Sequence, residues 1–145
     1  DCDGSHHPKD LNKMLKKMEN CDLVSTNRFL RKKSLLNWKA HRIFLTKMRY
    51  FLVSFMLNTK LDSSGAFRIY NTKKISLKDI LLAKDNHYNF FWESLFYLEK
   101  KYKIKEIPIT IPIRAHGRSK MNFKDIIFGL FYLIKVYSKN LFDYE

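Results

Sequence analysis

The sequence opens on Asp-Cys-Asp-Gly-Ser-His-His-Pro at residues 1–8, and the segments that follow are best understood from this stretch. Two carboxylates one residue apart, Asp1 and Asp3, can share a hard divalent cation, with the Ser5 hydroxyl or water as a further ligand. Mg²⁺ keeps several of its waters and is usually shared with substrate phosphates, so the pattern favours a phosphorylated substrate. A solvated turn is the alternative that three residues leave open.

The sequence begins inside this motif, with no initiator methionine and no strand ahead of it. We therefore expect the chain to be the carboxyl-terminal part of a longer protein, in which a β-strand delivers Asp1 to a cleft.

The next residues alternate between helix and strand, as in an open α/β sheet. Pro8 suits the first turn of a helix, and apolar residues then recur at helical spacing. Residues 22–26 follow as a short buried strand, and residues 28–37 are predicted to be a basic, mobile loop. Ligands in such sheets bind beyond the carboxyl ends of the strands, where the two first carboxylates and Arg28 are therefore expected.

Three further long helices are predicted, at residues 38–58, 89–102 and 123–137, and Ser76 with Asp79 resembles a capping box that opens a short one. The apolar stripe of the first of them is expected to be core or a face against a membrane. Isoleucine at every second position from Ile107 to Ile113 has the period of a half-buried strand, and its prolines place that strand at a sheet edge. A small-residue turn at residues 61–66 leads into another strand and lets a ligand approach its backbone.

The charge and composition limit the class of partner. The 145 residues are 46% apolar and carry a formal charge of +14, from 28 Lys and Arg against 14 Asp and Glu. This excess favours nucleic acid, an acidic membrane or a phosphorylated substrate, although an A/T-rich genome would account for part of it. Cys2 and Cys21 form neither a disulfide framework nor a zinc pattern with His6 and His7, so a reducing, cytoplasmic setting is expected.

Four blocks of sequence, taken in order, resemble a known family. They are the opening stretch at 1–8, Asn-Arg-Phe at 27–29, Asp-Ser-Ser-Gly-Ala-Phe-Arg-Ile-Tyr at 62–70, and Glu-Ile-Pro-Ile with Arg-Ala-His-Gly-Arg-Ser-Lys-Met within 106–121. Together they resemble the dolichyl- and polyprenyl-phosphate mannosyltransferases of the inverting family 2 glycosyltransferases. The likeness extends from residue 1 to residue 121.

The resemblance implies an α/β fold of the GT-A (nucleotide-diphospho-sugar transferase) type, truncated and lacking its N-terminal nucleotide-binding half. Residues 1–121 would be the carboxyl-terminal part of that domain, with the metal site and the acceptor half. Residues 122–145 would be an amphipathic helix suited to a membrane surface, because lysines flank its apolar face. Packing of this helix on its own domain is the alternative.

The implied reaction transfers a hexose onto dolichyl or polyprenyl phosphate. The resemblance favours mannose from GDP-mannose as that hexose. No catalytic side chain is expected, because a phosphate monoester has its second pKa at about 6 and is already a nucleophilic dianion at neutral pH. The 145 residues alone are expected to be inactive. The expected partners are the nucleotide-sugar, the lipid phosphate and the cytoplasmic face of a membrane, held peripherally, with a separate or appended anchor.

The resemblance also assigns site residues. The ligands of Mg²⁺ or Mn²⁺ on the donor diphosphate would be Asp1, Asp3 and Ser5. The acceptor phosphate would be held by Arg28, Arg42, Thr46, Arg114 and Lys120, with the guanidinium groups as bidentate forks. The substrate loop would comprise Asp62, Ser64 and Gly65 together with Glu93, which either orients a sugar hydroxyl or caps its own helix.

Two other functions stay open from the sequence. A related family 2 transferase could use UDP-glucose or another nucleotide-sugar with a polyprenyl phosphate, since sugar selectivity depends partly on the missing half. A basic nucleic-acid- or membrane-binding module without catalysis is the alternative from a different class. We expect no nucleic-acid partner, because the sequence has no RNP-like, zinc-finger or helix-turn-helix signature.

Overall fold

The computed structural model describes residues 6–113 and 123–142, and every structural statement below concerns those residues. Their helices are α1 (Pro8–Lys17), α2 (Ala40–Leu57), α3 (Leu77–Ile80), α4 (Phe90–Glu99) and α5 (Phe123–Phe142). Their strands are β1 (Leu23–Asn27), β2 (Leu35–Leu36), β3 (Arg68–Tyr70), β4 (Ile104–Pro108) and β5 (Ile111–Pro112).

The sheet is built on β1, which is buried at all five positions and therefore suits a central place. It pairs antiparallel with β3, where Leu23 faces Tyr70, and parallel with β4, where Leu23 faces Ile104. The strand order is β3-β1-β4. A mixed sheet among helices confirms the α/β class and the strand predicted at residues 22–26.

The first helix begins at Pro8, as predicted, because the residue before it serves as its cap. His7 is extended, and its Nδ1 accepts a hydrogen bond from the Lys9 N–H at 3.1 Å. The helix packs on the sheet through Met14, which lies in a core cluster with Val24 and Ile107. This cluster holds the beginning of the described chain against β1 and β4.

The strand predicted at residues 107–113 is wrong in its bounds, because two short strands occupy this region. β4 starts earlier and lies at the edge of the described sheet, as its proline predicts, while β5 leaves it to pair in parallel with β2. Two hydrogen bonds show this change of partner: Ile109 N still donates to Asn27 O on β1 at 3.1 Å, whereas Ile111 N donates to Ser34 O, next to β2, at 2.7 Å. The prediction of a loop throughout residues 28–37 is therefore also wrong.

The second helix matches its prediction and ends at Asn58, which adopts the left-handed conformation (φ 50°) common after helices. Its inner side packs into a core shared with α4 and α5, formed by Val53, Leu57, Trp92, Phe96, Leu133 and Val136. The predicted apolar stripe lies mostly on the outer side, since Phe44, Phe51 and Phe55 are 65%, 64% and 77% exposed. For these three residues the expectation of ordinary core is wrong.

None of the helices in residues 6–113 and 123–142 is both long and apolar enough to cross a bilayer.

The packing of α1 can be tested with two neighbouring apolar residues. We expect Met14→Ala to lower the free energy of unfolding by about 2 to 4 kcal/mol, because the fully buried side chain leaves a cavity. Leu15→Ala on the same helix is the control, because Leu15 is 51% exposed and should lose less than about 1 kcal/mol. Urea unfolding monitored by circular dichroism measures both, and equal losses would contradict the packing of α1 described above.

Candidate functional site

The candidate site lies at the carboxyl end of β1, where Arg28 forms an ion pair with Asp62. Arg28 Nε lies 2.8 Å from Asp62 Oδ2, and Arg28 Nη2 lies 2.8 Å from Oδ1. The backbone N–H of Arg28 donates to the same Oδ2 at 2.9 Å. The Asp62 side chain is fully buried and that of Arg28 is 12% exposed, so one edge of the guanidinium is locked in place.

The carboxylate of Asp62 is ionised in this setting. Burial alone would raise the pKa of Asp62, but hydrogen bonds from Arg28 and its positive charge outweigh burial and hold the pKa below its ordinary value. The Ser64 hydroxyl contacts Arg28 Nη2 and donates to Asp62 Oδ1 at 3.2 Å. Asp62 and Ser64, predicted in the substrate loop, are therefore placed by the structure as the partners that orient Arg28.

Two further polar residues support this pair. Glu106 Oε1 accepts a hydrogen bond from the Asp62 N–H at 2.7 Å, and Oε2 accepts one from Asn27 Nδ2 at 2.7 Å. Asn27 Oδ1 in turn accepts from the backbone N–H of Phe29 at 2.6 Å. Burial raises the pKa of Glu106. Neither Asn27 nor Glu106 was predicted as a site residue, although both lie inside the blocks that carry the family resemblance.

The glycine of the substrate loop allows the loop to approach β1. A Cβ atom at Gly65 would lie 3.3 Å from the Thr26 carbonyl oxygen, a distance with little room for a side chain. The Thr26 hydroxyl donates to the Phe67 carbonyl at 3.3 Å, which ties the loop to the same strand. Gly65 thus lets Asp62 and Ser64 reach Arg28.

The remaining predicted ligands lie outside the described residues, namely Asp1, Asp3, Ser5, Arg114 and Lys120. The described residues next to them, His6 and Ile113, both contact segments close to the Arg28–Asp62 pair in sequence. The His6 ring lies 4.8 Å from the Phe67 ring, beside the substrate loop. Ile113 N donates to Leu36 O at 3.0 Å, on the segment that follows Arg28. Within residues 6–113 and 123–142 no group of three or more His, Cys, Asp or Glu could hold a metal ion.

Two predicted phosphate ligands, Arg42 and Thr46, lie one turn apart on α2. The Arg42 guanidinium stacks 4.0 Å from the centre of the Trp38 ring. Both side chains are half-buried and lie on the side of α2 that also carries Val53.

Arg49 belongs to this arrangement but was not predicted. Its Nη2 donates to the Tyr88 carbonyl at 3.2 Å. Burial, and after it the charge of Arg28, lower the pKa of Arg49 to about 10, while Asp62 acts in the opposite direction. Arg49 therefore lies within electrostatic reach of the Arg28–Asp62 pair. The available sequence signal was its position seven residues after Arg42, which places both on one side of a helix.

Glu93 lies elsewhere and does not cap its own helix, so that alternative is wrong. Its Oε2 accepts hydrogen bonds from the N–H groups of Lys84 and Asp85 at 2.9 and 3.1 Å. The Tyr132 hydroxyl donates to the same carboxylate at 3.1 Å. Glu93 thus fastens the loop before α4 to α5. An open cleft of about 510 Å³ lies along this loop and the start of α4, lined by Asp85, Asn86, His87, Tyr88, Phe90 and Phe91.

The importance of the Arg28–Asp62 pair can be tested by Asp62→Asn. We expect this variant to lose about 3 kcal/mol of the free energy of unfolding at neutral pH, because the Arg28 guanidinium stays buried without its charged partner. Since the pKa of Asp62 is lowered by folding, its contribution is present above the ordinary pKa of about 3.9 and is lost as the pH falls through the folded value. The difference in free energy of unfolding between Asp62→Asn and wild type should therefore become smaller as the pH is lowered.

Asp10→Asn is the matched control, because Asp10 pairs at 2.7 Å with Lys13, whose side chain is exposed. A surface pair of this kind contributes at most about 1 kcal/mol. Urea titrations of both variants over a pH series provide the measurement. Equal stability of Asp62→Asn and Asp10→Asn at neutral pH would show that the buried pair does not stabilise the fold.

Comparison with characterised proteins identifies relatives. The chain is 29% identical over 124 residues to undecaprenyl-phosphate mannosyltransferase of Micrococcus luteus, and the aligned region covers 84% of this chain and 51% of that protein. It is 26% identical over 137 residues to polyprenol monophosphomannose synthase of Mycolicibacterium smegmatis, which covers 90% of this chain and 51% of that protein. No protein-family model matches the chain. The chain is thus a relative of the polyprenyl-phosphate mannosyltransferases, a group of glycosyltransferases, as its four sequence blocks predict, and it spans about half the length of these two proteins.

Proposed function

We propose that the chain is the acceptor-binding part of an inverting glycosyltransferase that moves mannose from GDP-mannose to a polyprenyl or dolichyl phosphate. The observation that carries the proposal is the anchored guanidinium of Arg28 at the carboxyl end of β1. Sites at this end of an open α/β sheet commonly bind phosphorylated ligands. The names of the two relatives point to the same acceptor class.

Arg28 is suited to a phosphate in one particular way. Its Nε and Nη2 groups are used by Asp62 and Ser64, whereas the two N–H groups of Nη1 have no acceptor in the part of the chain that the structure describes. Arg28 would therefore offer Nη1 to the ligand instead of a bidentate fork. Because Asp62 holds the opposite edge, Nη1 would reach the ligand with little loss of side-chain entropy.

The proposed reaction needs positioning and charge compensation more than proton transfer. An oxygen of the acceptor phosphate forms a bond to the anomeric carbon of mannose while the bond from that carbon to the nucleoside diphosphate breaks. Acceptor and donor both carry negative charge, so they repel unless cations lie between them. Arg28, Arg42 and Arg114, with Lys120 and the Thr46 hydroxyl, would hold the acceptor side.

A divalent cation is proposed for the donor side. Asp1, Asp3 and Ser5 offer only oxygen ligands, the donor set that Mg²⁺ and Mn²⁺ prefer. The ion would neutralise the departing diphosphate. Support comes from His6, which directly follows these residues and lies against Phe67, two residues after Gly65 of the substrate loop. The chain spans about half the length of its two relatives, and we propose that the nucleotide is held by the part of such a protein that these 145 residues do not cover, so that they are inactive alone.

Membrane binding is proposed for α2 and α5. Each helix carries large apolar side chains on the side opposite to their shared core: Phe44, Phe51 and Phe55 on α2, and Ile127, Phe131 and Ile134 on α5. A net charge of +14 complements the anionic lipids of a cytoplasmic leaflet. Docking there would place the peripheral protein beside a substrate whose tail stays in the bilayer. A separate or appended anchor would add to this contact.

The reaction is tested with the full-length protein by a donor screen against polyprenyl phosphate. We expect GDP-mannose to react best, while preference for UDP-glucose would identify the related transferase. Asp3→Ala should abolish metal-dependent turnover. Arg114→Ala should raise KM for the lipid phosphate roughly 10- to 100-fold, the effect of one charge-assisted hydrogen-bonding group.

Lys13→Ala is the control for these variants, because Lys13 is an exposed cation on α1. It should react at the wild-type rate. Transfer from no nucleotide-sugar, or wild-type kinetics in both site variants, would refute the proposed reaction.

Membrane docking is tested by co-sedimentation of the chain with vesicles that contain phosphatidylglycerol. Phe55→Ser should weaken binding about tenfold or more, because a buried phenylalanine contributes roughly 1.5 to 3 kcal/mol. Leu77→Ser is the control, since Leu77 is 68% exposed but lies on α3. Equal vesicle binding by the two variants would exclude the outer side of α2 as the docking surface.

A further inference from the structure

Arg49 shares a helix face with the two predicted phosphate ligands of α2. It follows Thr46 by three residues and Arg42 by seven, and such spacings place side chains on one side of a helix. Unlike the outer side with its phenylalanines, this side is turned toward the body of the protein, and Arg49 is half-buried. Its Nη2 reaches the Tyr88 carbonyl at 3.2 Å.

The turn of α2 that carries Arg49 is fixed against the segment that carries Arg28. The rings of Phe29 and Tyr50 stack with 4.1 Å between their centres, and each follows one of the two arginines in sequence. The electrostatic effect of Arg28 on the pKa of Arg49 agrees with this closeness. With a pKa of about 10, Arg49 remains protonated at neutral pH.

The negative charge at this place does not match the positive charge. The oxygens of Asp62 already accept from Arg28 Nε and Nη2, from the Arg28 backbone and from the Ser64 hydroxyl. In the part of the chain that the structure describes, no carboxylate forms an ion pair with Arg49, whose hydrogen-bond partner is a neutral carbonyl. Asp62 is thus paired with Arg28 and acts on Arg49 only through its charge. A half-buried guanidinium with no paired carboxylate among the described residues is unfavourable until an anion joins it.

We propose that Arg49 is a further ligand of the acceptor phosphate, acting with Nη1 of Arg28 on the same phosphate monoester. This inference rests on the proposed function, because it assumes that the phosphate is that of the lipid acceptor. A phosphate monoester carries nearly two negative charges at neutral pH, which matches two guanidinium groups better than one. The Arg28–Asp62 pair, which is neutral as a whole, supplies geometry, and Arg49 supplies the uncompensated charge.

The rival explanation is that Arg49 only ties α2 to the loop at Tyr88. The two roles separate because a tie affects stability, whereas a phosphate ligand affects affinity for phosphate monoesters. Arg49→Gln removes the charge but keeps a donor for the Tyr88 carbonyl, and Arg49→Lys keeps the charge without the planar fork. Lys47→Gln is the matched control, because it removes one charge from an exposed position of the same helix.

The experiment titrates the full-length protein with farnesyl phosphate by calorimetry at low ionic strength, with thermal unfolding of each variant alongside. We expect Arg49→Gln to bind roughly 10- to 100-fold more weakly than wild type, and Arg49→Lys to fall between them. Lys47→Gln should bind like wild type. Affinity for GDP should be unchanged in all three, which separates the acceptor phosphate from the donor diphosphate. Inorganic phosphate and farnesol then show whether the head group or the tail supplies the binding.

The outcomes distinguish this inference from the function on which it rests. If Arg28→Gln weakens farnesyl phosphate binding and Arg49→Gln matches Lys47→Gln, the role of Arg49 is refuted and the acceptor site stands. If wild type binds no farnesyl phosphate, the acceptor site and Arg49 are refuted together. If Arg49→Gln does not fold, Arg49→Met decides, because it removes the charge and keeps the length of the side chain: wild-type affinity in that folded variant would also overturn the proposal.

Discussion

The buried ion pair between Arg28 and Asp62 is the interaction on which the candidate site depends. A guanidinium with 12% of its side chain exposed has lost most of its hydration, and the carboxylate replaces water on one edge with two charge-assisted hydrogen bonds of 2.8 Å. The pair joins the end of β1 to the turn after α2. Glu106 then joins the same turn to β4, so three separate segments meet at one carboxylate and its backbone.

This constraint has a consequence for charge. A guanidinium that is neutralised on one side is well oriented, but it attracts a dianion only weakly. Under the proposed function, further cations would supply the attraction, and we propose Arg49 on α2 as one of them because it is half-buried and within electrostatic reach of Arg28. In this proposal the two have different roles: the rigid Arg28–Asp62 pair orients the phosphate, and the charge of the half-buried Arg49 attracts it.

The two sides of α2 carry different kinds of side chain. Its inner side carries Arg42, Thr46 and Arg49 from the first turn to the middle, and core residues such as Val53 follow toward its carboxyl end. Its outer side carries phenylalanines that are exposed to between 64% and 77%, and the rings of Phe51 and Phe55 stack on each other there with 6.1 Å between their centres. A helix with cations inward and aromatic rings outward reverses the usual pattern of a soluble protein. Under the proposed function, the inward cations would bind the phosphate while the outward rings contact the membrane that holds the lipid tail.

Most of the helices, the central strand and the likeness to polyprenyl-phosphate mannosyltransferases could be predicted from the order of the amino acids alone. Periodicity and capping residues located α1, β1 and α2, and four short blocks predicted relatives that comparison then identified. The tertiary structure decided which polar groups meet: Arg28 with Asp62 across 34 residues, Asp62 with Glu106 across 44, and Arg49 with the loop at Tyr88. Periodicity reports only neighbours a few residues apart, whereas these contacts depend on the register of β1 with β4 and on the residue where α2 ends. For the same reason the split of residues 107–113 into two strands, and the exposure of the α2 phenylalanines, became visible only in three dimensions.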